Sequence, residues 1–145
     1  MMNVAYALGR IFVPIVFIWE AILKLLDIGR FAKLLADNQV PMPDQIVVYL
    51  GSVPKYEALA WFLAVLELIC GLMILLGLKA RWGALMLIVF TAGTTFFVHR
   101  FWGMTGDAYV QNQIHALKNL SILGALLLIV AVGSGPHSVD RRPSS

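Results

Sequence analysis

Charge is scarce in this 145-residue sequence: aspartate, glutamate, lysine and arginine together make up 13%. A soluble globular domain carries roughly 25%. That shortage excludes an ordinary soluble domain, because 60% of the residues are hydrophobic and a core of this size has no room to bury them all. Cysteine is scarcer still. The single Cys70 excludes an internal disulfide, a CxxC pair and any thiolate-rich metal site. Basic clusters of the kind that hold nucleic acid are missing too. The net charge is only +3, and the basic residues are scattered, several within apolar runs. There is no phosphate-binding GxxxxGK[ST] loop, no nucleophile elbow, no metal-ligand spacing and no internal repeat. Nothing therefore supports hydrolytic or nucleotide-dependent chemistry.

What the sequence does have is long apolar runs and a mean hydropathy of +0.83. A membrane-spanning helix takes about 20 mostly apolar residues, and four such runs fit, at 4–26, 57–78, 82–101 and 111–132. Residues 1–8 lack the basic start of a cleavable signal peptide, so the first run is expected to be retained as a span. Between the first two runs lie proline turn signals at Val40, Pro41, Met42 and Pro43, and again at Ser52, Val53 and Pro54. Ile28, Phe31, Leu34 and Leu35 recur there at helical spacing beside Arg30, Lys33 and Asp37, which predicts an amphipathic segment in the membrane interface. The expected fold is all-α: a membrane-embedded four-helix bundle over 1–133, followed by a flexible cytoplasmic tail over 134–145. Lys79 and Arg81 in a short connector, with Arg141 and Arg142, face Arg30, Lys33, Lys55 and Arg100 in longer loops on the other side. Because the bias counts most in short loops, both termini are assigned to the cytoplasm.

Ionisable residues inside such spans cost about 2.5–3.5 kcal/mol each on insertion scales, so each needs a partner or a purpose. At about 100° per residue, Tyr6, Arg10, Phe17, Glu20 and Lys24 share one face of the first helix. Glu57, Trp61, Ala64, Glu67 and Gly71 line the second. Gln111, Asn112, His115, Lys118 and Asn119 share a face of the fourth, and Thr91, Thr94, Thr95 and His99 lie loosely together on the third. By depth, Glu20, Lys24, Glu57, His99, His115, Lys118 and Asn119 belong to the extracytoplasmic half, with Glu67 near the midplane and Arg10 below it, toward the cytoplasm. These residues predict a polar pocket opening to that side. Arg10 and Glu67 are candidates for a buried ion pair, since an arginine can satisfy one carboxylate bidentately, and Glu20 can pair with Lys24 one turn away. The bland reading is that paired charges only fix helix register. Trp61, Trp82, Trp102 and Tyr56 read as interfacial aromatics, Cys70 as inert packing, and Gly71, Gly77 and Gly83 as places of close helix approach in the hairpin of the second and third spans.

These residues, taken in order, resemble the DoxX family. Leu8-Gly9-Arg10 leads through the first span to Lys24-Leu25-Leu26. The interfacial segment ends in Val40-Pro41-Met42-Pro43, and Leu66-Glu67-Leu68-Ile69-Cys70-Gly71-Leu72 is followed by Leu75-Leu76-Gly77-Leu78. His99, Lys118-Asn119-Leu120 and the closing Gly133-Ser134-Gly135-Pro136-His137-Ser138-Val139-Asp140 complete the resemblance over nearly the whole chain. It implies a four-helix protein of the bacterial inner membrane, with the family's polar signature falling on Arg10, Lys24, Glu67, His99 and Lys118. Glu20 departs from the family, which often has a small residue there, and Asn38 stands near a usual glycine. The family name comes from small subunits of a thiosulfate:quinone oxidoreductase, and members are linked to redox or sulfur stress. Relatives in the wider superfamily look like assembly chaperones or trafficking receptors, so the resemblance implies no one settled activity; the expected role is an accessory subunit of a quinone-linked redox system. No cofactor is intrinsic to the chain; a bound quinone is the expected ligand, with His99, His115 and Lys118 as donors and Glu20 or Glu67 as proton relays. Membrane lipids surround such a chain, and the electron donor has to be a partner protein. The alternatives are a non-catalytic scaffold or assembly chaperone that docks other proteins, and a small transporter, which would need a homo-oligomer to supply two repeats.

Overall fold

The computed structural model describes residues 2–42, 53–135 and 138–141. The expectations placed on Pro43, Ser52, Pro136, His137 and Arg142 lie outside the described residues. Five helices follow in order: α1 (Met2–Leu26), α2 (Ile28–Asp37), α3 (Lys55–Leu76), α4 (Ala80–Phe97) and α5 (Gly106–Val132). Single 3-10 turns occupy Phe101–Gly103 and Val139–Arg141. All the described elements are helical, and α1, α3, α4 and α5 are long and apolar enough to cross a membrane. α5 starts five residues before its apolar run. Thr105 is extended ahead of it and Asp107 sits in its first turn, where a negative charge complements the helix dipole.

The spanning helices alternate in direction, and each packs on the next: α1 on α3, α3 on α4, α4 on α5. α1 and α5 meet only sparsely, so the bundle has a seam between them. The core at its centre is Phe17, Cys70, Ile74, Leu87, Leu126 and Ile129, with Ala80 and Ala84. Small residues set the close approaches. A Cβ on Gly71 would stand 2.9 Å from Ile18 Cγ1, and one on Gly83 would stand 3.0 Å from the Cys70 carbonyl. Gly71 thus serves the α1–α3 contact and not the hairpin that its spacing suggests; Gly83 serves the α3–α4 hairpin.

α2 lies off the bundle axis. The Asp27 side chain accepts from the Arg30 amide and starts it, as an N-cap aspartate does. Its apolar stripe, Phe31 and Leu35, is buried against Ala60 and Ala64 in the first half of α3, while Leu34 stays exposed. The amphipathic segment therefore packs on the protein as well as facing the interface.

At the other end, which carries both termini, the connector and the tail lock together. Gly77 ends α3 at φ 67°, a left-handed conformation that glycine adopts without a Cβ penalty. Arg10 Nη1 donates to the Ile74 and Leu75 carbonyls at 2.9 and 3.1 Å, placing a cation on the C-terminal carbonyls of α3, of which that of Ile74 also accepts from the Gly77 amide. The tail, which the sequence predicts to be flexible, is docked where it is described. The Asp140 carboxylate accepts from the Lys79 amide at 2.7 Å and from the Ser134 hydroxyl at 2.6 Å, and the Asp140 amide donates to the Gly77 carbonyl. Ser138 is buried over Gly77, and the Tyr6 hydroxyl donates to the Gly133 carbonyl.

The Ser134 hydroxyl, then the Lys79 amide and charge, hold the Asp140 carboxyl below the usual carboxylate range. A group depressed in the folded state contributes its docking energy above the ordinary pKa, near 3.9, and loses it as pH falls through the lowered value. Protection of the Lys79 amide from hydrogen exchange, relative to its intrinsic rate, is expected to persist at neutral pH and to be lost only below about pH 3.9. Asp140→Asn is expected to remove that pH dependence.

Candidate functional site: a polar cluster at one end of the bundle

The alternation of helix direction puts the last turns of α1, the first half of α3, the last turns of α4 and the first half of α5 at the same end, beside α2. Most of the polar side chains of the spans lie there. Glu67 is the deepest, 2% exposed. Its Oε2 accepts from Lys24 Nζ at 2.7 Å, and Glu20 Oε2 lies 4.0 Å from the same ammonium. The Phe31 ring of α2 and the Phe90 ring of α4 flank that ammonium, with centroids at 5.5 and 5.4 Å. One cation is thus shared by two carboxylates and two aromatic faces. Aromatic faces favour a desolvated cation through the ring quadrupole, so Phe31 and Phe90 shield the pair from water without neutralising it.

The expected Arg10–Glu67 pair does not form; Glu67 takes Lys24 and Arg10 takes the α3 carbonyls. The reason is helix register. α1 and α3 run antiparallel, so Lys24 near the end of α1 comes level with Glu67, while Arg10 comes level with Ile74, about two turns further along α3. Angular position on one helix was common to both cations, and only the partner helix separates them.

Two smaller groups complete this end. His99 Nδ1 is 3.0 Å from Asn112 Oδ1, and the His99 and His115 rings stack at 4.7 Å with a 13° tilt. Asn119 Nδ2 donates to Thr95 Oγ1 at 2.8 Å, and Thr95 in turn donates to the Thr91 carbonyl. Lys118 is exposed and makes no hydrogen bond or ion pair among the described residues. His115 stands within electrostatic range of His99, Lys118 and, across the seam, Glu20 of α1. No group of three or more His, Cys, Asp or Glu suited to a metal ion occurs among the described residues.

Sequence reasoning missed three features. Phe31 and Phe90 give no signal, because aromatics at helical spacing read as core. Arg10 as a cap on a distant helix needs the tertiary contact to be seen. The orphan hydroxyl of Thr91 is the third: Thr94 and Thr95 bond the carbonyls four residues back, whereas the buried Thr91 hydroxyl has no partner among the described residues, a difference that threonine spacing does not show. A separate apolar groove lies on α3, lined by Trp61, Phe62, Val65, Leu66, Ile69 and Cys70, away from the charged groups.

Comparison with known proteins adds the following. The DoxX family matches residues 5–100. Inner membrane protein YphA of Escherichia coli K12 is 35% identical over 93% of this chain and 87% of its own. Inner membrane protein YqjF of the same organism is 28% identical over 96% and 92%. The Surfeit locus protein 4 homolog of Schizosaccharomyces pombe is 26% identical over 67% of this chain, a stretch that is 34% of that protein. No solved structure matches.

Proposed function

Since this chain belongs to the DoxX family, we propose that it is an accessory subunit of a membrane redox system whose polar cluster seats the head group of a quinone. The four apolar helices and the inner membrane proteins it resembles make it a multi-pass protein of the bacterial inner membrane. The proposed orientation puts the start of α1 and the docked segment around Asp140 in the cytoplasm and the polar cluster in the extracytoplasmic half.

The observation that carries the reading is the Lys24–Glu67 pair at the bottom of a set of donors and acceptors confined to one half of the bundle. A device for helix register needs one charged pair. Here His115, Lys118 and Asn119 face the same end from α5. A quinone head needs hydrogen-bond donors on its two carbonyls and a proton source when reduced. Lys118 and His115 supply donors, and the carboxylates of Glu20 and Glu67 can hold and pass on the protons. The quinone, when bound, would supply the electron chemistry; the chain's own residues position the head and move protons. Electrons come from a partner protein.

The test is mass spectrometry of gently extracted protein, wild type beside Lys118→Ala. A quinone is expected at about one per chain in the wild type and about tenfold less in the variant, the loss of one charged hydrogen bond, with unfolding temperature unchanged. Co-purifying membrane proteins without quinone, equal in both samples, would replace this reading with that of a scaffold; the unpartnered apolar groove on α3 would then be the place to look for docking.

A further inference from the structure

The seam between α1 and α5 is closed at one end and open at the other. At the terminal end, Tyr6 of α1 donates to the carbonyl of Gly133 just past α5, and Phe17, Leu126 and Ile129 fill the centre. At the α2 end, no hydrogen bond or ion pair crosses from α1 to α5 among the described residues. Yet Glu20 on α1 is half exposed, and on α5 His115, within electrostatic range of Glu20, and Lys118, three residues further along, are exposed as well. Above them, Phe31 of α2 lies over Lys24. On the outward faces of α1 and α5, next to Glu20 and Lys118 in sequence, stand Trp19 and Leu117, 63% and 58% exposed. Ionised groups at a lateral opening of spanning helices cost about 2.5–3.5 kcal/mol each against lipid tails, and the polar end of a molecule dissolved in the bilayer, entering between α1 and α5, would relieve that cost.

We propose that this seam is a lateral binding groove for an amphiphile of the bilayer with a neutral or zwitterionic, hydrogen-bonding head, which enters between α1 and α5 while its chain stays among the lipids. The charge of the head follows from balance. Lys24 and Glu67 cancel as a pair. Glu20 and Lys118 then leave one charge of each sign at the groove, with the His115 ring as a further hydrogen-bonding group. An anionic head would meet Glu20, and a cationic one Lys118. A head that both accepts and donates satisfies both. The inference rests on the reading of the polar cluster as a head-group site, and extends it by naming the class of ligand and its route.

The experiment uses full-length protein in lipid nanodiscs and a long-chain primary amide carrying a diazirine next to its head, with labelled positions mapped by mass spectrometry. Saturable labelling is expected at 19–24 and 115–120. It is displaced by the unlabelled amide and about tenfold less well by a long-chain alkyl phosphate, a difference of one charged contact. Lys118→Glu, which leaves two like charges at the groove, is expected to lose the saturable labelling. Exchanging the charges, Glu20→Lys with Lys118→Glu, is expected to restore it, which separates a groove from a folding defect. Non-saturable labelling spread evenly over the lipid-facing helices would overturn the proposal. So would preferential displacement by the phosphate, or cross-links joining two copies through the seam. If no quinone co-purifies but the amide saturates the seam, the redox reading fails and the groove stands. If quinone co-purifies and the seam does not label, the groove fails alone.

Discussion

Replacing Lys24 by methionine is expected to destabilise the protein by about 3–5 kcal/mol, since a carboxylate would be left buried without its cation. Glu67 is 2% exposed and its bonded oxygen has Lys24 as its partner. Glu20 cannot compensate, because it carries the same charge. Thermal unfolding in detergent is expected to fall by on the order of 10 °C. The double substitution Lys24→Met with Glu67→Met is expected to regain most of that loss, because an apolar pair of similar volume needs no desolvation of charge. If instead Lys24→Met unfolds at the wild-type temperature, the pair does not hold Glu67 in its ionised form, and the proton-carrying role proposed for Glu67 starts from a neutral carboxyl. If the double variant is as unstable as the single one, packing by the lysine stem between Phe31 and Phe90 matters more than its charge.

At the opposite end, Gly77→Val is expected to cost about as much. Left-handed backbone at φ 67° costs a residue with a Cβ roughly 1–2 kcal/mol, more for a β-branched one. The added carbon also meets two things at once. It runs into the Ser138 side chain of the docked tail and into Arg10 Nη1, so the substitution displaces the strap and the cation that caps α3 together. A total near 3–5 kcal/mol is expected, since a buried polar network is broken as well. Gly93 is the control, because a Cβ there would meet nothing within 4 Å. Gly93→Ala is expected to be neutral or slightly stabilising, as alanine is in a helix. Unfolding temperature and protease sensitivity of the 134–141 segment check both. Loss of stability with the tail still protected would mean that the turn alone matters.

The two ends of the bundle differ in how legible they were. The polar end was visible in the sequence as a set of residues, because a charge inside an apolar run stands out whatever it touches. Glu20, Lys24, Glu67, His99, His115, Lys118 and Asn119 could all be named from spacing and depth. What spacing could not give was the pairing among them. Arg10 and Lys24 occupy the same face of α1, and either cation could answer a carboxylate on another helix. The terminal end was nearly invisible. A stretch such as Gly133-Ser134-Gly135 ahead of Asp140 has the composition of a loose tail, and its docking depends on backbone groups of Gly77 and Lys79, which any sequence would offer. The orphan hydroxyl of Thr91 was hidden for a related reason: threonine in a helix ordinarily bonds its own backbone, and its two neighbours do.

By itself the sequence determined that this protein is a bundle of four membrane helices with an amphipathic helix after the first, and that its polar residues gather toward one end. Hydropathy and periodicity settle those points because a span must satisfy its own backbone and bury its apolar side chains against lipid or neighbours, whichever neighbours they are. Only the tertiary structure decided that Lys24 and not Arg10 answers Glu67, that Arg10 closes α3, that the tail straps the terminal end, and that α1 and α5 leave a seam. Those outcomes depend on which helix lies beside which and at what register. Side chains on one helix carry an angle and a depth, but a partner is a property of two helices.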